Sequence, residues 1–409
     1  MSNMRYVITK YKNGILSFTY DIQENKMVSV SFTSADMLSE KVNIGDIFVA
    51  KVSNVIRQLN AAFIHYAPDK KGYLPIHPDY EPVIINRKYD GRIVAGDEIL
   101  VQLEKEAVRT KEPVFTVNLS LSGKYSVVSN VNTYKGISRK CSKIEKERLR
   151  AAIPQDIDFG VVIRTNAASL LDSSDESDCD ALQPVTDEIV HLKDRLSTLL
   201  QEGIHRTCYS RIWQSLPIYL ANMRDEGIRY QQIITDDEML YQETVEFASI
   251  YMPEQLHDIT LYQDADYPLQ KLYRVETLLN ELLSKKVWLS SGAYLVMEKT
   301  EAMYVIDVNS GKNITKKDNA DYIYQINMEA AAEIMRQIRL RNLAGIILID
   351  FINMEDTQKD EMLLQELRCL AKKDRILTTV VDITALGLVE ITRRKTTKSL
   401  AEQLLFFKS

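Results

Sequence analysis

Two stretches of the chain, AMYVIDVNSG (residues 302–311) and IILIDFINM (residues 346–354), decide the fold class of its C-terminal part. Each is an apolar run of strand-like composition, and each carries an aspartate, Asp307 or Asp350, near its end. A long helical pattern, at about 318–341, lies between them. Strands that alternate with helices predict an α/β domain.

Alternation along the first strand sets the direction of its polar side chains. Successive residues of a strand point to opposite faces, so Asp307 and Asn309 share one face. The run around Asp350 is apolar on both faces, which is the pattern of a strand covered on both sides. An ionised carboxylate in a covered strand needs a cation or a hydrogen-bond donor to compensate its burial.

The residues alone allow two interpretations of these aspartates. Mg²⁺ prefers one or two carboxylates, keeps several waters and binds phosphate oxygens directly. That preference suits two aspartates and an amide without a His or Cys ligand nearby. The alternative is structural, because an aspartate often caps a turn at the end of a strand. The sequence pattern leaves both interpretations open.

Composition restricts the class of protein. A chain of 409 residues, 45% hydrophobic and 26% charged, is long enough for about two to four globular domains. It holds neither the roughly eighteen apolar residues of a membrane span nor the apolar core of a signal peptide, so the cytoplasm is the expected compartment. The net charge of −6 decides nothing about nucleic acid, because a polyanion contacts a local basic face. The four cysteines include no Cys-x-x-Cys pair, so the sequence suggests neither a disulfide framework nor a zinc knuckle; they are Cys141, Cys179, Cys208 and Cys369.

Changes of pattern along the chain divide it into four regions. The first forty residues are too few to stand alone and are expected to complete a sheet formed later in the chain. Short β-rich runs with the spacing of a small barrel follow, and then a mixed α+β region. The regions after these forty residues are a barrel at 41–122, an α+β region at 123–210, helices and short strands at 211–282 and the α/β region at 283–409.

The residues around both aspartates are similar to the bacterial ribonuclease E/G family of endoribonucleases. The similarity is carried by KVWLSSGAYLVMEKTEAMYVIDVNSGK, INMEAAAEIMRQIRLRNLAGIILIDFINM and LGLVEITRRK, and upstream by AAFIHYAPDKKGYLPI, GISRK and VVIRT. It covers nearly the whole chain. The resemblance implies a multidomain α/β and α+β protein. Its parts would be a DNase I-like catalytic domain at 283–409, a ribonuclease H-like subdomain at 1–40 and 211–282, an inserted OB-fold barrel at 41–122 and a 5′-phosphate sensor at 123–210.

The resemblance gives the two aspartates a catalytic interpretation. It implies that Asp307 and Asp350 bind Mg²⁺, with Mn²⁺ as the alternative ion, and that Asn309 assists. The ion would lower the pKa of a water that cleaves the RNA backbone, leaving a 5′-phosphate and a 3′-hydroxyl. One departure is Asn353, where relatives commonly carry an aspartate. A catalytically weakened RNA-binding relative is therefore the alternative function.

The resemblance also assigns RNA-binding residues in the barrel. Phe63 and Tyr73 match base-contacting aromatic positions, and Lys105 and Lys111 would follow the RNA backbone beside them. From the residues alone, the barrel core is the favoured place for Phe63, because AAFIHYA alternates like a half-buried strand.

A pocket for the 5′-monophosphate of RNA is implied by the α+β region. Arg164 and Thr165 match one wall of the family's pocket, and Gly123 and Val127 match the other. A guanidinium fork beside a hydroxyl suits a dianionic phosphate, although an Arg-Thr pair at a strand end is ordinarily just solvated. The basic segment TRRKTTK (392–398) is either a solvated helix start or an RNA-facing patch, and contact with RNA is the favoured interpretation.

A zinc-linked dimer is not expected. Most relatives place a Cys-Pro-x-Cys link after the segment matched by EITRRKTTKSL, and this chain has no cysteine after Cys369. The sequence does not decide whether the chain forms a homodimer held by packing. The apolar residues Leu400, Leu404 and Phe407 at helical spacing are either its contact surface or a helix docked on its own domain.

The expected function is a Mg²⁺-dependent endoribonuclease that cuts single-stranded RNA and favours 5′-monophosphorylated ends. Its expected roles are rRNA and tRNA processing or mRNA decay, with partners from RNA decay. A structural or scaffold protein would leave the paired aspartates, the barrel and the phosphate pocket without a common explanation.

Overall fold

The secondary structure comes from a computed structural model that describes residues 3–34, 42–107, 111–131, 133–171, 179–264, 266–311 and 320–405. In these residues the strands are β1 (Met4–Tyr11), β2 (Gly14–Asp21), β3 (Lys26–Ser34), β4 (Ile47–Ile56), β5 (Ala61–Ala67), β6 (Lys70–Pro75), β7 (Glu98–Lys105), β8 (Val114–Thr116), β9 (Ser120–Ser122), β10 (Ser126–Ser129), β11 (Lys135–Ile137), β12 (Gly160–Ile163), β13 (Arg211–Trp213), β14 (Gln232–Thr235), β15 (Ile259–Leu261), β16 (Lys286–Trp288), β17 (Tyr294–Lys299), β18 (Met303–Asn309), β19 (Gly345–Asp350), β20 (Thr378–Ile383) and β21 (Leu388–Arg393). The α-helices are α1 (Lys143–Leu149), α2 (Cys179–Gly203), α3 (Ile218–Glu226), α4 (Glu238–Tyr251), α5 (Leu269–Leu272), α6 (Val275–Leu283), α7 (Ala320–Leu340), α8 (Thr357–Lys372) and α9 (Leu400–Leu405). None of these described helices has the length and apolar character needed to cross a membrane.

The chain folds into two compact units. The first comprises Met1–Ala35, Ile228–Glu246 and Glu254–Ser409, and the second comprises Asp36–Gly227 and Phe247–Pro253. Each unit holds two of the four sheets formed by the described strands.

A six-stranded sheet of the first unit, in the order β16-β17-β18-β19-β21-β20, carries both aspartates. β18 and β19 are parallel and are joined through α7, so the α/β prediction for this region is confirmed. Helices α7 and α8 cover one face, where Ile334 and Leu367 are buried in one cluster with Ile306. The opposite face is open, and Val305 and Ile346 are exposed there.

The prediction that β19 is covered on both faces is therefore wrong. Ile347 and Ile349 are buried against the helices, whereas Ile346 is 47% exposed and Asp350 is exposed as well. The open face carries apolar residues, so the sequence shows no alternation that would reveal it. The carboxylates are consequently not buried, and no cost of burial has to be compensated.

The second sheet of this unit contains the N-terminal strands. β1, β2 and β3 form an antiparallel meander, and β14 and β15 continue the sheet in parallel from the other edge of β1. Its core includes Phe18, Leu282 and Leu400, and Leu404 packs against it. Helix α9 is thus docked on its own unit, and Phe407 lies outside the described residues.

The second unit contains a closed barrel. β4, β5, β6, β8 and β7 pair in that order, and β7 returns to pair with β4. Ile64, Leu74 and Phe115 fill its interior without solvent exposure. The predicted barrel at 41–122 is confirmed as a closed, five-stranded, OB-like barrel.

The other sheet of the second unit, in the order β11-β12-β10-β9, packs against α2. Val185, Ile189 and Leu196 of α2 are fully buried at this contact. α2 contains the helix predicted at about 185–202.

Arg393, the first arginine of TRRKTTK, is a buried structural residue rather than an RNA-facing one. Its Nε donates to Asp374 Oδ2 at 2.7 Å, and the two side chains are 3% and 2% exposed. Its Nη1 also donates to the Asn342 side chain and to the Leu343 carbonyl. Burial opposes ionisation of Asp374, but the hydrogen bond and charge of Arg393 outweigh burial and hold the pKa of Asp374 below its ordinary value.

We expect Asp374→Ala to lower the free energy of unfolding by ~3–5 kcal/mol, because the Arg393 guanidinium would stay buried without its counter-charge. Urea unfolding at neutral pH measures this loss. The contribution of Asp374 is present above the ordinary pKa of about 4 and is lost as the pH falls through its lower folded-state pKa.

The matched control is Glu298→Ala, which removes the carboxylate of the Lys285–Glu298 pair, with side chains 75% and 55% exposed. We expect this variant to lose less than ~1 kcal/mol. Equal losses in the two variants would contradict the structural role of the buried pair.

Candidate functional site

Asp307 and Asp350 lie side by side on the open face of the six-stranded sheet. The parallel register pairs them directly, and neighbouring strands are about 4.8 Å apart. Asn309 Nδ2 donates a hydrogen bond to Asp307 Oδ2 at 2.6 Å. The predicted sharing of one face by Asp307 and Asn309 is confirmed, and all three predicted side chains meet at the carboxyl ends of β18 and β19.

This arrangement suits a divalent cation. Two carboxylates one strand apart repel each other, and within the residues that the structure describes neither pairs with a Lys or Arg nor accepts a backbone N–H as a turn cap would. No described group of three or more His, Cys, Asp or Glu side chains is arranged to hold a metal. A cation here would therefore have two carboxylate ligands and fill its other positions with water or phosphate oxygens, as Mg²⁺ prefers.

The segment after Asp350 is fixed by a buried asparagine. Asn327 of α7 is fully buried, donates to the Ile352 carbonyl at 2.7 Å and accepts from the Ile352 N–H at 3.2 Å. Asn353 accepts from the Glu355 N–H at 3.0 Å and so belongs to the local turn. Asn327 is absent from the residues that the sequence predicts, because an asparagine inside a helix carries no local signal of such a contact.

Asp307 and Asp350 are exposed on the open face of the sheet. A cavity of about 940 Å³ in the same unit is lined by residues of β16, α6 and α7, among them Lys286, Trp288, Glu333 and Arg336. The two aspartates and Asn309 are not part of its wall.

The barrel brings three of its four predicted RNA-binding residues into one row. Phe63 pairs with Tyr73 across β5 and β6, and the ring centroids are 5.9 Å apart in an edge-to-face arrangement. Val114 of β8 pairs with Tyr73 on one side and with Lys105 on the other. Lys111, three residues before Val114, is exposed.

The interpretation of Phe63 as barrel core is wrong. Its neighbours Ala62 and Ile64 are fully buried, whereas Phe63 is only partly buried, as is Tyr73. The strand places Phe63 on the outer face of the barrel, where part of the ring remains accessible.

In the second unit, Arg164 and Gly123 are in direct contact. Arg164 Nη1 donates to the Gly123 carbonyl at 2.7 Å and to Asp225 Oδ1 at 2.7 Å. Thr165 follows at the start of a short 3₁₀ turn, and its hydroxyl lies 3.0 Å from the Ser138 hydroxyl. Val127 lies on β10 between Ser122 and Val162, so the four predicted residues come from adjoining parts of one sheet.

Asp225 binds two guanidinium groups. Besides Arg164, Arg224 Nε donates to Asp225 Oδ1 at 2.8 Å, and Arg224 Nη1 donates to the Ser122 carbonyl at 2.6 Å. Burial opposes ionisation of Asp225, but the hydrogen bonds and charges of both arginines outweigh it and keep the pKa of Asp225 below its ordinary value. Asp225 thereby links Arg164 to Arg224, and each arginine also donates to a carbonyl of the turn that contains Gly123.

A second carboxylate lies beneath that turn. Glu188 of α2 accepts hydrogen bonds from the backbone N–H groups of Lys124, Tyr125 and Ser126 at 2.7–2.9 Å, and from the Ser126 hydroxyl at 2.8 Å. A Cβ atom at Gly123 would lie 2.3 Å from the Glu188 carboxyl carbon. Only glycine leaves room for this carboxylate.

Arg224, Asp225 and Glu188 are absent from the residues that the sequence predicts. Arg224 and Asp225 lie in the last turn of a short helix, where charged residues are ordinarily solvated. Glu188 belongs to a helix whose polar residues follow the ordinary amphipathic pattern.

Comparison with known proteins gives consistent matches. The sequence model of the ribonuclease E/G family matches residues 120–396, a range that includes Arg164, Asp307 and Asp350. Ribonuclease G of Escherichia coli K12 is 32% identical over 375 residues, which are 88% of this chain and 74% of that protein. Ribonuclease G of Haemophilus influenzae is 30% identical with the same coverage, and Ribonuclease E of Nostoc sp. PCC 7120 is 28% identical over 93% of this chain and 56% of that protein.

We expect Gly123→Ala and Glu188→Ala to destabilise the protein non-additively. Glu188→Ala leaves three backbone N–H groups without their acceptor, and Gly123→Ala displaces the same carboxylate, so each is expected to cost ~1–3 kcal/mol. The double variant should cost less than the sum by ~0.5–3 kcal/mol, because both changes disrupt one contact. Denaturant unfolding of the three variants measures this coupling.

Glu202→Ala, which removes an exposed carboxylate from the same helix, is the control and should change stability by less than ~0.5 kcal/mol. Additive losses from Gly123→Ala and Glu188→Ala would show that the Glu188 carboxylate does not support the Gly123 turn.

Proposed function

The chain belongs to the ribonuclease E/G family, as its sequence predicts, and on this basis we propose that it is an endoribonuclease that cleaves single-stranded RNA with a divalent metal ion. The observation that carries the proposal is the in-register pair Asp307 and Asp350, with Asn309 bonded to the first, on an open sheet face. An open face admits a long polymer, which an enclosed pocket would exclude.

The proposed subdomains follow the regions predicted from the sequence. Residues 283–409 would be the DNase I-like catalytic domain, and 123–210 the 5′-phosphate sensor. Residues 1–40 and 211–282 would form a ribonuclease H-like subdomain, which is supported by the sheet that β1, β2 and β3 share with β14 and β15. The barrel at 41–122 would bind RNA.

Asp307 and Asp350 would hold Mg²⁺ or Mn²⁺, which when bound supplies positive charge to the phosphate and lowers the pKa of a water. The hydrogen bond from Asn309 Nδ2 restrains the Asp307 carboxylate and leaves its other oxygen available. The side-chain oxygen of Asn309 remains an acceptor that can orient a water. The proposed reaction adds water across the P–O3′ bond and leaves a 5′-phosphate and a 3′-hydroxyl.

The row of Phe63, Tyr73 and Lys105 supports a preference for unpaired RNA. The faces of partly exposed aromatic rings can stack with bases only when those bases are not paired within a duplex. Lys105, with 42% of its side chain exposed, can contact a neighbouring phosphate.

The surroundings of Arg164 support a preference for 5′-monophosphorylated ends. Within the described residues, its side chain uses Nη1 for Gly123 and Asp225, and the other guanidinium nitrogens have donors left for a phosphate. The Thr165 and Ser138 hydroxyl groups are hydrogen-bonded to each other, which leaves one further O–H donor for a phosphate. Asp225 is shared with Arg224, so Arg164, Arg224 and Asp225 together carry one net positive charge.

The proposed roles are rRNA and tRNA processing or mRNA decay in the cytoplasm. A catalytically weakened RNA-binding relative is the alternative, since Asn353 stands where relatives commonly carry an aspartate.

We expect Asp307→Asn to reduce cleavage by at least ~100-fold, since one metal-binding charge is lost and a metal ion contributes several kcal/mol to such a reaction. Binding of the same RNA should change little. A fluorescent single-stranded oligonucleotide with Mg²⁺ gives the cleavage rate, and its anisotropy gives the affinity.

Glu298→Gln is the matched control, because Glu298 lies on the same open face of β17, opposite Val305. Its cleavage rate should stay within a few-fold of wild type. Full activity of Asp307→Asn would contradict the assignment of Asp307 as a metal ligand. An inactive wild type would favour the alternative function, a catalytically weakened RNA-binding relative.

We expect Arg164→Ala to slow cleavage of 5′-monophosphorylated RNA by ~10-fold or more, because a charged hydrogen bond to phosphate is lost. The same variant should cleave RNA with a 5′-hydroxyl at nearly the wild-type rate. The control Arg150→Ala, which removes an exposed arginine, should cleave both RNAs at nearly the wild-type rate. If Arg164→Ala slows both RNAs equally, the pocket is misassigned.

A further inference from the structure

A pair of aromatic residues extends the row that contains Asn309. Trp288 of β16 pairs with Tyr294 of β17, and Tyr294 pairs with Asn309 of β18. Val287 and Leu295, which alternate with the two rings along their strands, belong to the side covered by the helices. Trp288 and Tyr294 therefore lie on the same open face as the two aspartates.

A lysine completes this cluster. Lys286 Nζ lies 4.0 Å from the centroid of the Trp288 ring and 3.6 Å from that of the Tyr294 ring. The rings are 5.2 Å apart and tilted by 59°. Lys286 pairs with Val296, which pairs with Asp307, so the cation and the carboxylate belong to one row of the sheet.

The cluster is built differently from an ordinary protein surface. Trp288 is 63% exposed, although large aromatic side chains are usually well buried. Within the described residues, Lys286 forms no ion pair, and its ammonium group lies over the two rings. An aromatic face together with an ammonium group is the combination that binds single-stranded nucleic acid, through stacking on the base and charge on the phosphate.

We propose that Trp288, Tyr294 and Lys286 form a nucleotide subsite beside the two aspartates. A base of the RNA stacks on the exposed face of Trp288, Tyr294 supports that ring, and Lys286 contacts the adjoining phosphate. The subsite rests on the proposed function, because the RNA strand must cross this face for cleavage.

The position of the cluster favours RNA as its occupant. Two strand spacings, about 10 Å, separate Trp288 from Asn309, so a strand bound at the aspartates passes the cluster along the same row. Stacking on a ring tolerates every base, and the subsite therefore adds affinity without a fixed sequence preference.

Fluorescence provides a direct test. The chain has two tryptophans, Trp213 and Trp288, so Trp213→Phe leaves Trp288 as the only one. We expect its emission to be quenched saturably by single-stranded RNA in EDTA, with the affinity given by the anisotropy of the labelled RNA. Unchanged emission at RNA concentrations where anisotropy shows binding, or no binding at all, would overturn the subsite.

A second test locates the stacked base. We expect Trp288→Ala to raise KM about tenfold or more with little change in kcat, while Trp288→Phe retains most of the affinity. A series of RNAs carries one abasic nucleotide at successive positions. For the wild type, the abasic nucleotide should raise KM at one position near the cleaved bond. For Trp288→Ala, an abasic nucleotide at that position should raise KM no further. The control Met362→Ala removes an exposed apolar side chain from α8 and should behave as wild type.

These measurements separate the subsite from the proposed function. Quenching of Trp288 by RNA that the wild type does not cleave with Mg²⁺ would support the subsite and refute the endoribonuclease proposal. Cleavage by a wild type whose Trp288 emission does not respond to RNA, or an equal abasic effect in wild type and Trp288→Ala, would refute the subsite alone.

Discussion

The parallel, in-register pairing of β18 with β19 is the constraint on which the candidate site depends. It brings Asp307 next to Asp350, although more than forty residues of chain separate them. The pairing is held by α7 and α8, which bury Ile306 and Ile349 on one face. A slip of one residue would turn the aspartates towards those helices and the isoleucines towards solvent, so burial of the apolar side also determines where the carboxylates point.

The same one-sided burial leaves the opposite face free for a ligand. The helices cover half of the sheet, and the open half carries exposed Val305, Ile346 and Trp288. Such a surface contributes little to the stability of the chain by itself. Its apolar and aromatic residues adjoin two carboxylates without a cationic partner among the described residues, and this combination suits a polymer that carries bases and phosphates.

Among the described residues, carboxylates with a cationic or backbone N–H partner differ in role from those without one. Asp374, Asp225 and Glu188 are each bound by arginine or by backbone N–H groups, and they hold strands and turns in position. Asp307 and Asp350, in contrast, have no such partner in the described part of the chain. Charges that are compensated within the protein support its structure, whereas uncompensated charges on a surface remain available to a metal ion or substrate.

The sequence by itself determined the strand–helix–strand order around Asp307 and Asp350, because periodic apolar residues record local structure directly. Resemblance to a family supplied the candidate residues, from Phe63 to Asp350. Only the tertiary structure decided that β19 has an open face, since its exposed residues are as apolar as its buried ones. It alone also paired Arg393 with Asp374, Arg164 with Asp225 and Glu188 with the Gly123 turn, because contacts between distant segments arise from packing and leave no periodic pattern along the chain.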